Sequence, residues 1–294
     1  MTTRERARAE IRVFLALLFA CSGGFYAYLY FVPGAPARWL SFSPAFMWCP
    51  GLAALLTVLF MREGFRGLGW KWGGLRYYLL AYGLPLAFCL PVYLVVWVSG
   101  LGEFNPEPLE AYRIRAGLPA GPVGTLGIVA AMLLLAPTGI VATLGEELGW
   151  RGFLVPRLLC LTSFTKTSLI TGLIWSLWHY PVIVAVLPLY IPKLPLGYAI
   201  SCFTVSVVVI SFVYTWLRLR SGSVFPAALL HATSNAFQGY FEGLTKHGEL
   251  TSYFTYEYGL GFALVIPLLA LPFWKRGRRL APGPEDLGSL RLKS

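Results

Sequence analysis

The chain has 294 residues, of which 57% are hydrophobic and 13% charged, with a mean hydropathy of +0.65. These values exclude an ordinary soluble domain and read as a polytopic, all-α membrane protein. A formal charge of +11 does not imply a nucleic-acid partner, because the basic residues follow the alternation of loops expected of membrane topology.

Apolar stretches of about 20 residues, long enough to cross a bilayer as helices, occur about eight times. They cover residues 13–32, 43–61, 77–99, 123–147, 166–187, 197–217, 223–241 and 254–273. Most of the 24 basic residues lie in the N-terminal segment (Arg4 to Arg12), the second, fourth and sixth loops, and the segment after Lys275. The alternate loops hold only Arg38, Arg113, Arg115, Lys193 and Lys246. An even number of spans with both termini cytoplasmic follows from the positive-inside rule. The basic N-terminus and apolar run are expected to form an uncleaved first span, because Phe19 fits a lipoprotein-like cleavage site at Leu18–Cys21 poorly and the run continues to Val32. A prokaryotic plasma membrane is the expected location.

No composition shift divides the chain, so residues 1–274 are expected to form one transmembrane domain with its functional core at about 123–240. Residues 275–294 read as a polar, disordered cytoplasmic tail. The five cysteines are widely spaced and suit neither a disulfide framework nor a CxxC metal site. Gly239 and Gly243 form a GxxxG pair, read here as a mark of close helix packing. There is no evident internal repeat of the kind that builds many transporters.

Three polar groups interrupt the apolar pattern. Glu146 and Glu147 end the fourth span, with Arg151 four residues after Glu147 and placed to pair with it along one helical face. Glu146, about 100° away, is free for another task. Trp175 precedes His179 by one turn in the fifth span, and His231 precedes Asn235 by one turn in the seventh. Each group alone has a plainer role, as a boundary charge or an interhelical hydrogen bond. Intramembrane ionisable groups nonetheless point first to a functional site. If the three helices adjoin, Glu146, His179, His231 and Asn235 converge on a cavity open to the cytoplasm. His247 falls in an external loop and is left out.

Such a set suits hydrolysis: a glutamate takes a proton from water, histidines hold the water, and an asparagine amide stabilises the oxyanion. Glu146, His179 and His231 also match a catalytic Zn2+ ligand set in type, with a position left for water. The spacing does not show metal, and Zn2+, another divalent ion and a metal-free mechanism all stay open. A serine nucleophile has no Gly-x-Ser-x-Gly support, and Ser176 reads as an ordinary helix residue.

These residues resemble the CAAX protease and bacteriocin-processing (Abi) family of intramembrane endopeptidases, which carries EExxxR, FxxxH and HxxxN or HxxxD on successive helices. Glu146 to Arg151 and His231 to Asn235 match the first and third motifs, while Trp175 replaces the phenylalanine of the second. The resemblance implies a helical bundle with a conical cavity open to the cytoplasm. It also implies Glu146 as activator of water, His179 and His231 positioning that water, Asn235 supporting the oxyanion, and Glu147 and Arg151 as structural partners. The implied substrate is a membrane-associated peptide or protein, prenylated or plain, and the implied surroundings are membrane lipid. The competing readings are a non-catalytic immunity or scaffold protein of the same family, and a proton- or cation-coupled transporter.

Overall fold

A computed structural model describes residues 2–280. Helix α1 (Thr3–Phe31) begins ahead of its apolar run, because Thr2 and Glu5 form a capping box that satisfies two first-turn amides. The second span is broken. Its halves, α2 (Trp39–Met47) and α3 (Cys49–Phe60), meet at Trp48 just before Pro50, where proline suits a helix start and not a helix interior. Helix α4 (Leu75–Val98) is followed by strand β1 (Gly102–Phe104) and the polar helix α5 (Glu107–Arg115).

The fourth span runs past its expected end at Glu147. Helix α6 (Pro122–Leu135) joins α7 (Ile140–Glu147) through a 3-10 turn containing Pro137. A π-helical segment, Leu148–Leu154, then leads into α8 (Val155–Leu159). Helices α9 (Phe164–Tyr190), α10 (Leu196–Ser221) and α11 (Phe225–Gly243) follow. Strand β2 (Thr245–His247) pairs antiparallel with β1, with Gly102 opposite His247. The last helix, α12 (Leu260–Gly277), starts after a 3-10 turn at Thr251–Tyr253, several residues later than expected. It also continues beyond Lys275, so the expected tail begins inside a helix. The remainder of that tail, 281–294, lies outside the described residues.

The chain is a multi-pass, all-α membrane protein. Among the described residues seven helical segments are long and apolar enough to cross a bilayer, against about eight expected. The difference is α11, which has 19 residues but carries His231, Thr233, Ser234, Asn235 and Gln238, whose polarity offsets its apolar residues.

The basic segments gather at one end of the bundle. There Arg6 bridges Glu10 and Glu63 (2.9 and 3.0 Å), and Arg157 reaches the same two carboxylates (2.9 and 2.7 Å). Four charges thus tie the start of α1, the exit of α3 and α8 together. Trp274, near the end of α12, donates to Thr165 at the start of α9 (3.1 Å), placing both ends of the described chain on this side.

Close approach of helices depends on glycines other than the pair singled out from the sequence. A Cβ on Gly239 or Gly243 would meet nothing within 4 Å, so among the described residues neither glycine of that GxxxG pair sits in a close helix contact. The spacing was there, but it does not say which face meets a neighbour. Gly145 and Gly149 share the same spacing and do make the contact. A Cβ on Gly145 would lie 2.8 Å from the Met47 carbonyl oxygen, and one on Gly149 would collide with Pro50. Gly51 completes the seam, 2.6 Å from Gly145 O by the same construction.

Two outcomes follow. Gly149→Val forces this seam apart against backbone and a rigid proline, and costs about 3 kcal/mol. Thermal unfolding in detergent should show it, whereas Gly243→Val should melt like the parent. At the opposite end His247 Nε2 pairs with Glu242 Oε1 (2.8 Å), and this bond raises the imidazole above its ordinary pKa, against the opposing effect of partial burial. The resulting stabilisation is complete below the unfolded histidine value and is lost as pH rises through the folded one. His247→Gln should therefore lower the melting temperature at pH 6 and leave it unchanged at pH 9.

Candidate active site

The site is built around two adjacent columns of side chains. On α7 and the π segment, Glu146 faces Trp150 and Glu147 faces Arg151, each pair four residues apart. Both glutamates and Arg151 are buried at 1% exposure or less. Arg151 Nη1 donates to Glu147 Oε1 at 3.0 Å, as the sequence spacing predicts. The guanidinium is held between two rings, 4.3 Å from the centre of Trp175 and 4.0 Å from that of Tyr214, and Nη2 reaches Ser211 Oγ at 3.3 Å. Stacking and pairing together compensate a cation far from water.

His231 joins the same ion pair. Its Nδ1 lies 2.9 Å from Glu147 Oε1, and since a carboxylate oxygen accepts, Nδ1 carries a proton directed at that oxygen. His179 is set likewise: Nδ1 donates to the Trp175 carbonyl at 2.9 Å, leaving Nε2 free.

Glu146 is independent of the ion pair. Its Oε2 accepts from Trp175 Nε1 at 2.7 Å and from Trp150 Nε1 at 3.3 Å, while Oε1 makes no hydrogen bond among the described residues. The Trp175 ring is also 5.4 Å from His231 and 6.1 Å from His179, centre to centre. Tryptophan at this position therefore does what phenylalanine cannot: it packs against both histidines and donates to the glutamate. Behind it, Trp150 and Trp178 meet edge to face at 5.7 Å. Trp178 stacks on Phe46 at 4.1 Å and donates to Ser22 at 2.7 Å.

Short bonds fix the helices. Thr143 donates to the Ala228 carbonyl at 2.9 Å, joining α7 to α11, while the Thr233 hydroxyl, 2.8 Å from the Leu229 carbonyl of its own helix, also lies 3.3 Å from the Ala81 carbonyl of α4. Ser176 is buried and donates to Gly172 of its own helix at 3.0 Å.

The structure thus gathers Glu146, Glu147, Arg151, Trp175, His179 and His231. Asn235 lies one turn beyond His231, exposed and without a side-chain hydrogen bond, so it is not held against the glutamates. Sequence reading missed Glu257. It falls within the predicted last span, where an acidic residue in an apolar run was the available signal. The structure places it in the half-buried turn before α12, in electrostatic reach of His179, His231 and Glu146. Burial pushes its carboxyl above the ordinary range, with His179 and a hydrogen bond from Tyr258 pulling it back.

Among the described residues no three His, Cys, Asp or Glu side chains lie close enough to hold an ion together, and Glu146 Oε2 is committed to two indoles.

Arg151→Met strands Glu147 as an uncompensated buried charge and should cost about 3–5 kcal/mol. Adding Glu147→Gln should recover much of that loss, measured by thermal unfolding of the single and double variants.

Residues 128–237 match the family described as type II CAAX prenyl endopeptidase Rce1-like. A CAAX prenyl protease 2 from Methanococcus maripaludis is 33% identical over 110 residues, which cover 36% of this chain and 38% of that relative. The matched region includes all three motifs and every side chain of the two columns. Motif order, geometry and these matches make the core of this chain similar to the type II CAAX prenyl endopeptidases of the CAAX protease and bacteriocin-processing family.

Proposed function

We propose that the protein is an intramembrane endopeptidase that hydrolyses a peptide bond near the C-terminus of a membrane-associated peptide or protein, prenylated or plain, using water activated by Glu146. The observation that carries this reading is the asymmetry of Glu146. Two indole donors hold Oε2, and Oε1 is left to accept a proton.

In the proposed reaction Oε1 takes one proton from water while a histidine Nε2 accepts a hydrogen bond from the same water, and the oxygen attacks the peptide carbonyl carbon. The Asn235 amide, exposed and uncommitted, donates to the developing oxyanion once substrate is bound. The C–N bond then breaks as the proton held by Glu146 passes to the leaving nitrogen, which regenerates the carboxylate. Glu147 and Arg151 fix His231 and do not contact substrate. No step is assigned to a metal, because no three-ligand set forms among the described residues. The basic end of the bundle is assigned to the cytoplasm, and the membrane to a prokaryotic plasma membrane.

Cleavage of quenched peptides, prenylated and plain, by the purified protein tests the reading, with mass spectrometry to locate the cut. Glu146→Gln should remain folded and lose cleavage, and a chelator should leave the parent active. Retained cleavage in Glu146→Gln removes that residue from the mechanism, and chelator-sensitive cleavage restores the metal alternative. Trp175→Phe keeps the packing and deletes the donor, and should lower kcat about tenfold with little change in KM. A family protein acting without catalysis would show no cleavage in any arm and biological activity that survives Glu146→Gln.

A further inference from the structure

Two residues along α10 from Tyr214, and so on a different face of the helix, Trp216 packs against Tyr77 of α4 and Phe273 of α12, with ring centres 6.0 and 5.1 Å away. It forms part of the wall of a cleft of about 560 Å³ between these three helices. Four guanidinium groups line that cleft: Arg76 at the start of α4, Arg220 at the end of α10, and Arg276 and Arg279 at the end of α12. An adjoining cleft of about 310 Å³ shares Arg276 and Arg279 and adds Lys275.

No acidic residue lines either cleft, and none of these four arginines forms an ion pair among the described residues. Arg76 alone has a local partner, lying 4.7 Å over the Tyr77 ring and donating to its hydroxyl at 2.8 Å. The Trp216 indole N–H, shielded from solvent, has no acceptor. Converging like charges repel one another, and a gathering of four is compensated only by an anion with several oxygens.

The position of the cleft selects the kind of anion. All four arginines sit at helix ends on one side of the bundle, at headgroup level for a protein spanning a bilayer. Immediately deeper on α12, Leu271, Leu268 and Leu264 follow at three- and four-residue spacing, and are 43%, 73% and 59% exposed. They form an apolar track leading away from the charges, as acyl chains require and a free phosphate does not. We infer that the cleft between α4, α10 and α12 is a binding site for an anionic phospholipid, with the headgroup phosphate among Arg76, Arg220, Arg276 and Arg279 and the acyl chains along α12. The site is separate from the two glutamate columns and does not depend on the protease reading.

Native mass spectrometry of the full chain released from detergent tests this, with titrations of phosphatidylglycerol, phosphatidylcholine of the same acyl chains, and inorganic phosphate. Arg220→Gln/Arg276→Gln should weaken phosphatidylglycerol binding about thirtyfold. Arg276→Gln alone should weaken it about fivefold, which keeps the test available if the double variant fails to fold. Arg8→Gln/Arg12→Gln removes the same charge from exposed positions at the same end and should change nothing. Equal phosphatidylglycerol affinity in parent and double variant overturns the site, and so does phosphatidylcholine binding as tightly as phosphatidylglycerol. Phosphate competing at the same concentration as the lipid overturns the lipid assignment in favour of a free anion. Glu285 and Asp286 follow shortly after α12, outside the described residues. Glu285→Gln/Asp286→Asn should leave lipid affinity unchanged, and a tenfold rise would instead make the chain's own tail the occupant.

Discussion

The ion pair between Glu147 and Arg151 carries the greatest electrostatic burden in the bundle. Neither side chain is exposed, and each would be strongly disfavoured alone in an apolar interior. The structure compensates by bringing partners to the pair from three helices, His231 from α11, Ser211 and Tyr214 from α10, and Trp175 from α9, while Glu147 Oε2 and Arg151 Nε make no hydrogen bond among the described residues. Those helices cannot slide or rotate independently without exposing a charge to hydrocarbon. The same demand that holds the core together also sets the orientation of a histidine, so stability and site geometry share one cause.

Two local features make that concentration sterically feasible. The π segment widens the turn directly after Glu147, and such turns frequently mark functional positions in otherwise regular helices. The glycine seam of Gly51, Gly145 and Gly149 lets α7 approach the junction of α2 and α3 closely enough to bury both carboxylates. Trp150 and Trp178 then fill the space behind Glu146 with aromatic surface and one directed N–H. The four-charge cluster of Arg6, Glu10, Glu63 and Arg157 fixes the far end of the same rod.

Much of this was readable from spacing along one helix. Glu147 with Arg151, Trp175 with His179 and His231 with Asn235 each lie one turn apart, so a shared face follows from helical geometry alone. Contacts between helices were less legible. The bond from Trp175 to Glu146 joins residues 29 apart in sequence, and an aromatic in a motif gives no sign that its N–H is used. The GxxxG pattern misled at Gly239 and Gly243 for a similar reason, since a pattern does not reveal which face meets a neighbour. Glu257 was overlooked because the last span was drawn through it, and its position in a turn depends on where α12 starts. Asn235 has the expected position on α11 but no side-chain partner among the described residues.

Helix α11 bears on how the protein is made. With so many polar residues along 19 positions, it would be poorly stabilised as a solitary span entering lipid. Its polar groups meet partners on segments synthesised earlier: Thr233 lies 3.3 Å from the Ala81 carbonyl of α4, the Ala228 carbonyl accepts from Thr143 of α7, and His231 donates to Glu147. A surface ready to receive it therefore exists by the time it leaves the ribosome. Insertion of this helix is consequently a folding event in its own right, and the columns around Glu146 and Glu147 are completed only when α11 joins the bundle.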